Sequence, residues 1–242
     1  MNNHSQNLKD QIVNTPPIVS EKIYNDLKRK HIHTILDIGS GEGALSDPFR
    51  RKKNITIIGN DITDENRPHY DHFIHKDFLL TTQKDFKGLN IDLIVSNPPF
   101  QNSKEHNQLY PFLFLEHIFK LFGKHIPVIM IVPQWLLSSS NKRIVELNQM
   151  NITKTITLHG KIFRTKGNYI SVESSVLYFN IKTAKNIEFL ESKKQYSPPT
   201  NSRHFKSISL KKNQKEFIEK NFNNFNKEIK ELIREKYPEF PL

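Results

Sequence analysis

Residues 91–102 read IDLIVSNPPFQN. An apolar, β-branched run stops at Asn97-Pro98-Pro99-Phe100. Neither proline has an N–H to give to a ladder, so the chain must leave a sheet there. It leaves one amide, two rings and one aromatic at the strand's end. A second stretch, Asp37-Ile38-Gly39-Ser40-Gly41-Glu42-Gly43, also follows an apolar run. Its glycines allow positive φ and close approach of a ligand to backbone. It is no phosphate loop, because no Gly-Lys-Ser/Thr follows. An ordinary tight strand-to-helix turn would use the same residues. Asp61 stands 24 residues after Asp37, a spacing at which an acid accepts hydrogen bonds from ribose hydroxyls. Asp77, in HKDF, is a weaker case of the same kind. Either acid could instead cap a helix.

These residues are useful only if the elements before them end side by side. Short β-branched runs at 33–38, 54–60, 69–75, 90–96, 127–132, 152–158 and 174–180 predict seven strands. LYPFLFLEHIFKLF (109–122) has apolar residues at helical spacing, and 140–149 also reads as helix. TPPIVSEKIYNDLKRK predicts a Pro-Pro turn and a helix, with Ser20 as N-cap and Ile23, Tyr24 and Leu27 on one side. Alternating strands and helices predict an α/β fold, with a mostly parallel sheet covered on both faces. In such a sheet ligands bind outside the carboxyl ends of the strands. Gly39–Gly43, Asp61, Asp77 and Asn97 then share one crevice. Pro48, near the start of the first crossover, is tolerated only in a helix's first turn, so that helix should start late and be short.

The chain has 242 residues, no cysteine and a formal charge of +11. Disulfides and thiolate metal sites are therefore excluded. The charge favours a polyanionic partner, most simply nucleic acid, although a Lys-rich composition with solvated basic faces would give the same total. Lys161, Arg164 and Lys166 form a basic loop between the last strands, suited to phosphate contacts or to solvent. His69, His72 and His75 fall three apart in a predicted strand, so adjacent ones point to opposite faces and no metal site is expected. Trp135 reads as a core or loop anchor rather than a base-stacking residue. The polar N-terminus and the lack of a long apolar run predict a cytoplasmic chain without a membrane span. Domain boundaries are expected at 1–190, a linker at 191–207 and a basic helix at 208–242. Residues 181–242 hold 14 Lys/Arg against 8 Asp/Glu. Ile218, Phe222, Phe225, Ile229 and Leu232 form one apolar stripe there, for docking on the domain or for a homodimer or partner subunit.

The combination resembles the Rossmann-like S-adenosylmethionine-dependent amino-methyltransferases. Among them it is most similar to the N6-adenine DNA methyltransferases in which the cofactor loop precedes an NPP[FY] motif. The resemblance covers about residues 10–180. LDIGSGEG matches the cofactor loop, NPPFQN the catalytic strand end, and PVIMIVPQWLLSS the fifth strand and its turn. DQIVNTPPIVSEKI matches the segment that closes over the cofactor, and FRTKGNYISVESSVLYF is a fainter match to later strands.

The resemblance implies a seven-stranded Rossmann-like sheet, S-adenosyl-L-methionine as cofactor and DNA as partner. It implies catalysis by Asn97, Pro98, Pro99 and Phe100. Cofactor contacts would come from Thr15, Pro16, Asp37, Ile38, Gly39, Gly41, Asp61, Ile62, Asp77, Phe78 and Asn97. Asp37 and the glycine loop would hold the methionine part, Asp61 the ribose, and Asp77 with Phe78 the adenine. The Asn97 amide oxygen and the Pro98 carbonyl would accept hydrogen bonds from an adenine amino group, turning its delocalised lone pair toward the sulfonium methyl. Two prolines would set that geometry beforehand, and Phe100 would stack the base, extruded from a duplex or already single-stranded. Adenine in ribosomal RNA, cytosine N4, a protein glutamine N5, or a non-catalytic subunit of a methyltransferase complex are the alternatives. About 60 residues follow the last predicted strand, which predicts relaxed sequence preference, a short recognition element or a second subunit.

Overall fold

The structure is a computed structural model and describes residues 14–64, 69–103, 108–137, 145–147, 149–159, 163–165, 168–170 and 173–191. Its centre is an eight-stranded sheet in the order β10-β6-β9-β5-β4-β1-β2-β3. The strands are β1 (Thr34–Ile38), β2 (Thr56–Asp61), β3 (His72–His75), β4 (Leu93–Ser96), β5 (Val128–Pro133), β6 (Ile152–His159), β9 (Ser174–Phe179) and β10 (Ile187–Glu191). Only β9 runs against its neighbours, β5 and β6; the other pairings are parallel. A separate two-stranded hairpin, β7 (Phe163–Thr165) with β8 (Asn168–Ile170), sits between β6 and β9 in the chain.

The seven expected strands are all present, and the expected sheet of seven is corrected to eight. The added strand, β10, lies on the sheet edge, and its Ile187 and Phe189 are exposed. An edge strand of this kind has no continuous apolar run to announce it. Residue 191, expected to open a linker, ends this strand. Lys161, Lys166, most of the expected helix at 140–149, the remaining linker and the helix at 208–242 with its apolar stripe lie outside the described residues.

Among the described residues, one long α-helix packs on each face of the sheet. Helix α1 (Pro17–Leu27) buries Val19, Ile23 and Leu27 with Ile35, Ile57, Val95, Ile129 and Ile131. Helix α2 (Tyr110–Phe122) buries Phe112, Phe114, Leu115 and Ile118 with Leu36, Ile58, Ile94, Val128 and Met130. The central strands alternate between these two clusters, which is why they read as continuous apolar runs. Ser20 does not cap α1. The helix starts three residues earlier, because Pro17 suits the first helical position, and the Ser20 hydroxyl donates back to Pro17 O at 3.2 Å. After the glycine loop the crossover is only a 3-10 turn, Asp47–Arg51, with Pro48 at its start, as that proline led us to expect. Among the described residues no helix is long and apolar enough to cross a membrane.

Gly59 in β2 is a close-approach glycine. A Cβ there would lie 2.6 Å from Tyr70 Cγ and 2.8 Å from Phe73 Cδ2. Gly59→Ala should destabilise the fold by about 1–3 kcal/mol through overpacking, seen as a lower urea midpoint at constant m.

Helix α1 is also tied to the far side of the sheet by charge. Lys154 in β6 is only 2% exposed. Its ammonium donates to Asp26 Oδ2 at 2.7 Å and Glu188 Oε1 at 2.5 Å. The Tyr178 hydroxyl donates to the same Asp26 oxygen at 2.9 Å. Lys22 completes the group, 2.5 Å from Asp26 and 2.9 Å from Glu188. Burial works against the Glu188 carboxylate, but Lys154 and Lys22 hold its pKa below the ordinary value.

Candidate active site

The crossing from β3 back to β4 makes β1 the point where strand order reverses, since β1 lies between β2 and β4. This is where an open α/β sheet leaves a crevice. In register, Ile38 pairs with Asn60 on one side and Ser96 on the other, and Asp61 pairs with His75. Gly39, Ile62, Lys76 and Asn97 therefore leave the sheet at one edge. The Ser96 hydroxyl, fully buried, donates to Ile38 O at 2.8 Å and locks the two central strand ends together.

The glycine loop is built around its own acids. Gly39 and Ser40 N–H groups donate to Asn60 O, and Gly41 N–H donates to Asp61 Oδ2 at 2.9 Å. Gly41 has φ 46°, and a Cβ there would meet nothing within 4 Å, so the loop's outer side is open. Asp61 Oδ1 also accepts from Thr63 N and Oγ1. The Ser40 hydroxyl is buried without a partner. Asp37 lies beneath the loop, 1% exposed, and accepts from Ser46 Oγ at 2.6 Å. Burial pushes the Asp37 carboxyl up to about 7; the Ser46 hydroxyl opposes this and Asp61 adds to it. Tyr70, whose hydroxyl stands 3.0 Å from where a Gly43 Cβ would be, donates to Ser40 O at 3.3 Å.

The segment before α1 spans the crevice. Asn14 Nδ2 donates to Glu42 Oε2 at 3.0 Å, and Asn97 Nδ2 donates to Thr15 Oγ1 at 3.1 Å. One short strap thus joins the tip of the glycine loop to the end of β4. Thr15, Pro16 and Pro98 are buried, Pro99 is exposed, and Phe100 is partly buried against the α1-side core. After them the chain closes on itself through Ser103 N to Gln108 O at 2.7 Å and Tyr110 N to Gln101 O at 3.1 Å, then enters α2.

At the third strand end, Asp77 Oδ1 accepts from Leu79 N at 2.9 Å and caps a 3-10 turn, Phe78–Leu80. Phe78 is buried against Phe114 at 5.1 Å and His117 at 5.0 Å between ring centroids. Its ring therefore belongs to the α2-side core. Ile62 is exposed beside Asp61, and His75 Nε2 lies 2.9 Å from its carbonyl oxygen. Among the described residues no three His, Asp or Glu side chains group as metal ligands.

So Thr15, Asp37, Ile38, Gly39, Gly41, Asp61, Ile62 and Asn97 come together around β1, with Asp77 and Phe78 two strands away. Arg164 lies in β7, opposite Tyr169 of β8. Sequence reading missed Ser46, Asn60 and Tyr70. Asn60 Nδ2 donates to Ile74 O and Lys76 O and staples the ends of β2 and β3. Only its strand parity with Ile58 could have signalled an inward amide. A shallow depression of about 770 Å³ along the outer edge of β3, lined by Tyr70, Phe73, Asp85 and Lys87 among others, shares no residue with the strand-end carboxylates or Asn97.

No family model matches the chain. Its fold is similar to that of the methyltransferase subunit of a type I restriction-modification system from Streptococcus thermophilus, with 16% identity and a TM-score of 0.55, over 77% of this chain and 49% of that one. The M protein of the type I restriction enzyme EcoKI is similar at 13% identity and a TM-score of 0.52, over 74% of this chain and 48% of that one. In sequence, 89 residues are 36% identical to a release factor glutamine methyltransferase of Fusobacterium nucleatum, 32% of this chain and 24% of that protein. The chain thus spans about half the length of these two structural neighbours and about a quarter of the curated relative. The architecture is a methyltransferase-like α/β fold.

Proposed function

We propose that this protein is an S-adenosylmethionine-dependent methyltransferase that modifies the N6 amino group of adenine in DNA. The observation that supports the reading is Asn97 just past the end of β4, its amide held by Thr15, with β4 next to β1, the strand that the glycine loop follows. The residues fit the cofactor. The Ser40 hydroxyl is a buried polar group awaiting a partner, Gly41 leaves open space, and Asp61 and Asp77 present carboxylates at adjacent strand ends. Asp61 would hold the ribose hydroxyls, Asp77 and the Phe78 backbone the adenine, and the loop over Asp37 the methionine part. The bound cofactor supplies an electrophilic methyl on a sulfonium.

The chain's own work is to prepare the acceptor. The Asn97 amide oxygen and the Pro98 carbonyl accept the two amino protons of the target, aim the nitrogen lone pair outward, and hold it there on a proline-stiffened turn. The proton released after transfer leaves from the positively charged nitrogen to solvent. The net charge of +11 suits a phosphate-bearing acceptor. A protein glutamine amide would use the same two acceptors, and the segment shared with a release factor glutamine methyltransferase favours that as the second reading.

The test is to offer labelled cofactor with duplex DNA, single-stranded DNA, ribosomal RNA and cell protein in competition. Label in DNA adenine is the expected result. Label in protein glutamine would replace the acceptor, and no label with no cofactor binding would leave a non-catalytic subunit.

The Asp37 carboxyl predicts how cofactor affinity depends on pH. Its pKa is raised from 3.8 to about 7. A raised carboxyl contributes stability that is complete below the ordinary value and is lost as pH rises through the raised one, on the order of 4 kcal/mol in all. A bound cation reverses this preference by favouring the carboxylate. Affinity for S-adenosylmethionine should therefore rise about tenfold between pH 6 and pH 8, measured by calorimetry. Asp37→Asn should flatten that profile.

A further inference from the structure

Trp135 follows β5 in a 3-10 turn, Gln134–Leu137. Leu136 is buried and Leu137 packs partly into the α2-side core, yet the indole between Gln134 and Leu136 is 47% exposed. Its sequence context suggested the role of an anchor, yet much of the residue's surface is open to solvent. Its place in the sheet gives it another. Strand β5 is the neighbour of β4, with Ser96 opposite Met130, and both strands run the same way. The turn carrying Trp135 therefore leaves the sheet at the edge that presents Asn97. On its other side, Gln134 N–H donates to Glu173 O at 2.9 Å, next to Ser174, the first residue of β9. Leu158 near the end of β6 pairs with Ser174 as well. The β7–β8 hairpin thus rises from the same edge, rooted by Phe163, which is fully buried. Its strand β7 includes Arg164.

We propose that Trp135 is the platform on which the target base stacks once it leaves its strand, a nucleobase subsite between the Asn97 amide and Phe163 at the root of the β7–β8 hairpin. This rests on the nucleic-acid reading above. Phe100, expected to provide that surface, gives part of its ring to the core. An indole offers a larger face and stacks bases without needing a particular hydrogen-bond pattern. The order along the edge suits a nucleobase: an amide for the amino group and, on the next strand, an aromatic face for the ring.

Trp135 is the only tryptophan in the chain, so its emission reports this position alone. The probe is a short single-stranded oligodeoxynucleotide with one adenine, against the same strand carrying an abasic site there. Emission should be quenched by the first and not by the second. Trp135→Ala should lower kcat/KM for methylation of that strand by about 10- to 100-fold with unchanged cofactor affinity, and Trp135→Phe should restore most of it. Equal quenching by both strands, or a Trp135→Ala variant as active as wild type on adenine, would overturn the subsite while leaving the methyltransferase reading intact. Wild-type protein that methylates no nucleic acid would overturn both.

Discussion

Replacing Asn97 by alanine should reduce methyl transfer by roughly 10²–10³-fold in kcat, the cost of losing one preorganised hydrogen-bonding group at a reacting centre. The loss should fall mainly on kcat, with a smaller change in cofactor affinity, because most of the proposed cofactor contacts lie at the ends of β1 to β3 and stay in place, while Asn97 at the end of β4 is one of the set. Asn97 also donates to Thr15 Oγ1, so two variants separate its roles. Thr15→Val removes only the orienting hydroxyl and should cost far less than Asn97→Ala. Asn97→Asp keeps an acceptor oxygen and should retain part of the rate. Single-turnover kinetics with labelled cofactor read all three. A kcat unchanged in Asn97→Ala would remove this residue from the chemistry.

The second large effect is on stability. Lys154→Met keeps the aliphatic stem and removes the ammonium that sits between Asp26 and Glu188. Two mostly buried carboxylates are then left with Lys22 as their remaining cation in the group. The expected cost is about 3 kcal/mol or more, since removing one partner of a buried pair strands the other. Adding Glu188→Gln should recover part of it, a coupling read from urea midpoints of the single and double variants. The ionised Glu188 contributes stability above the ordinary carboxylate range, and that contribution is lost as pH falls through its lowered pKa. Helix α1 also carries the strap residues that precede it. Loosening its anchor should therefore weaken cofactor binding before it unfolds the chain.

The parts of this molecule that were legible in the sequence are those set by burial on both faces. Strands such as VIMIVP and SSVLYF are buried at every residue, a pattern that neither described α-helix shows. That Gly39, Ile62 and Asn97 leave the sheet at one edge could be read because strand ends in a parallel sheet must lie together. What escaped depends on parity and on edges. Lys154 shares a strand face with Ile156 and Leu158, and a register shift between Ile152 and Lys154 puts Ile152 on the other face. A lysine at a core-facing position of ITKTITLH carries no local sign of the Asp26 and Glu188 carboxylates that hold it, because both come from distant parts of the chain. Asp37 shares parity with Ile35, which points it under the loop toward Ser46 rather than over it. Ser20 has the sequence of a cap, but a proline at the first helical position moved the start of α1 ahead of it.

The most direct test is the base composition of DNA exposed to the protein in a cell. The gene would be expressed in a host that lacks adenine methylation, beside the Asn97→Ala variant. Genomic DNA would be digested to nucleosides and measured by mass spectrometry. The account predicts N6-methyladenine with the wild-type chain and none with the variant. Wild-type DNA without N6-methyladenine, or with N4-methylcytosine in its place, would contradict it.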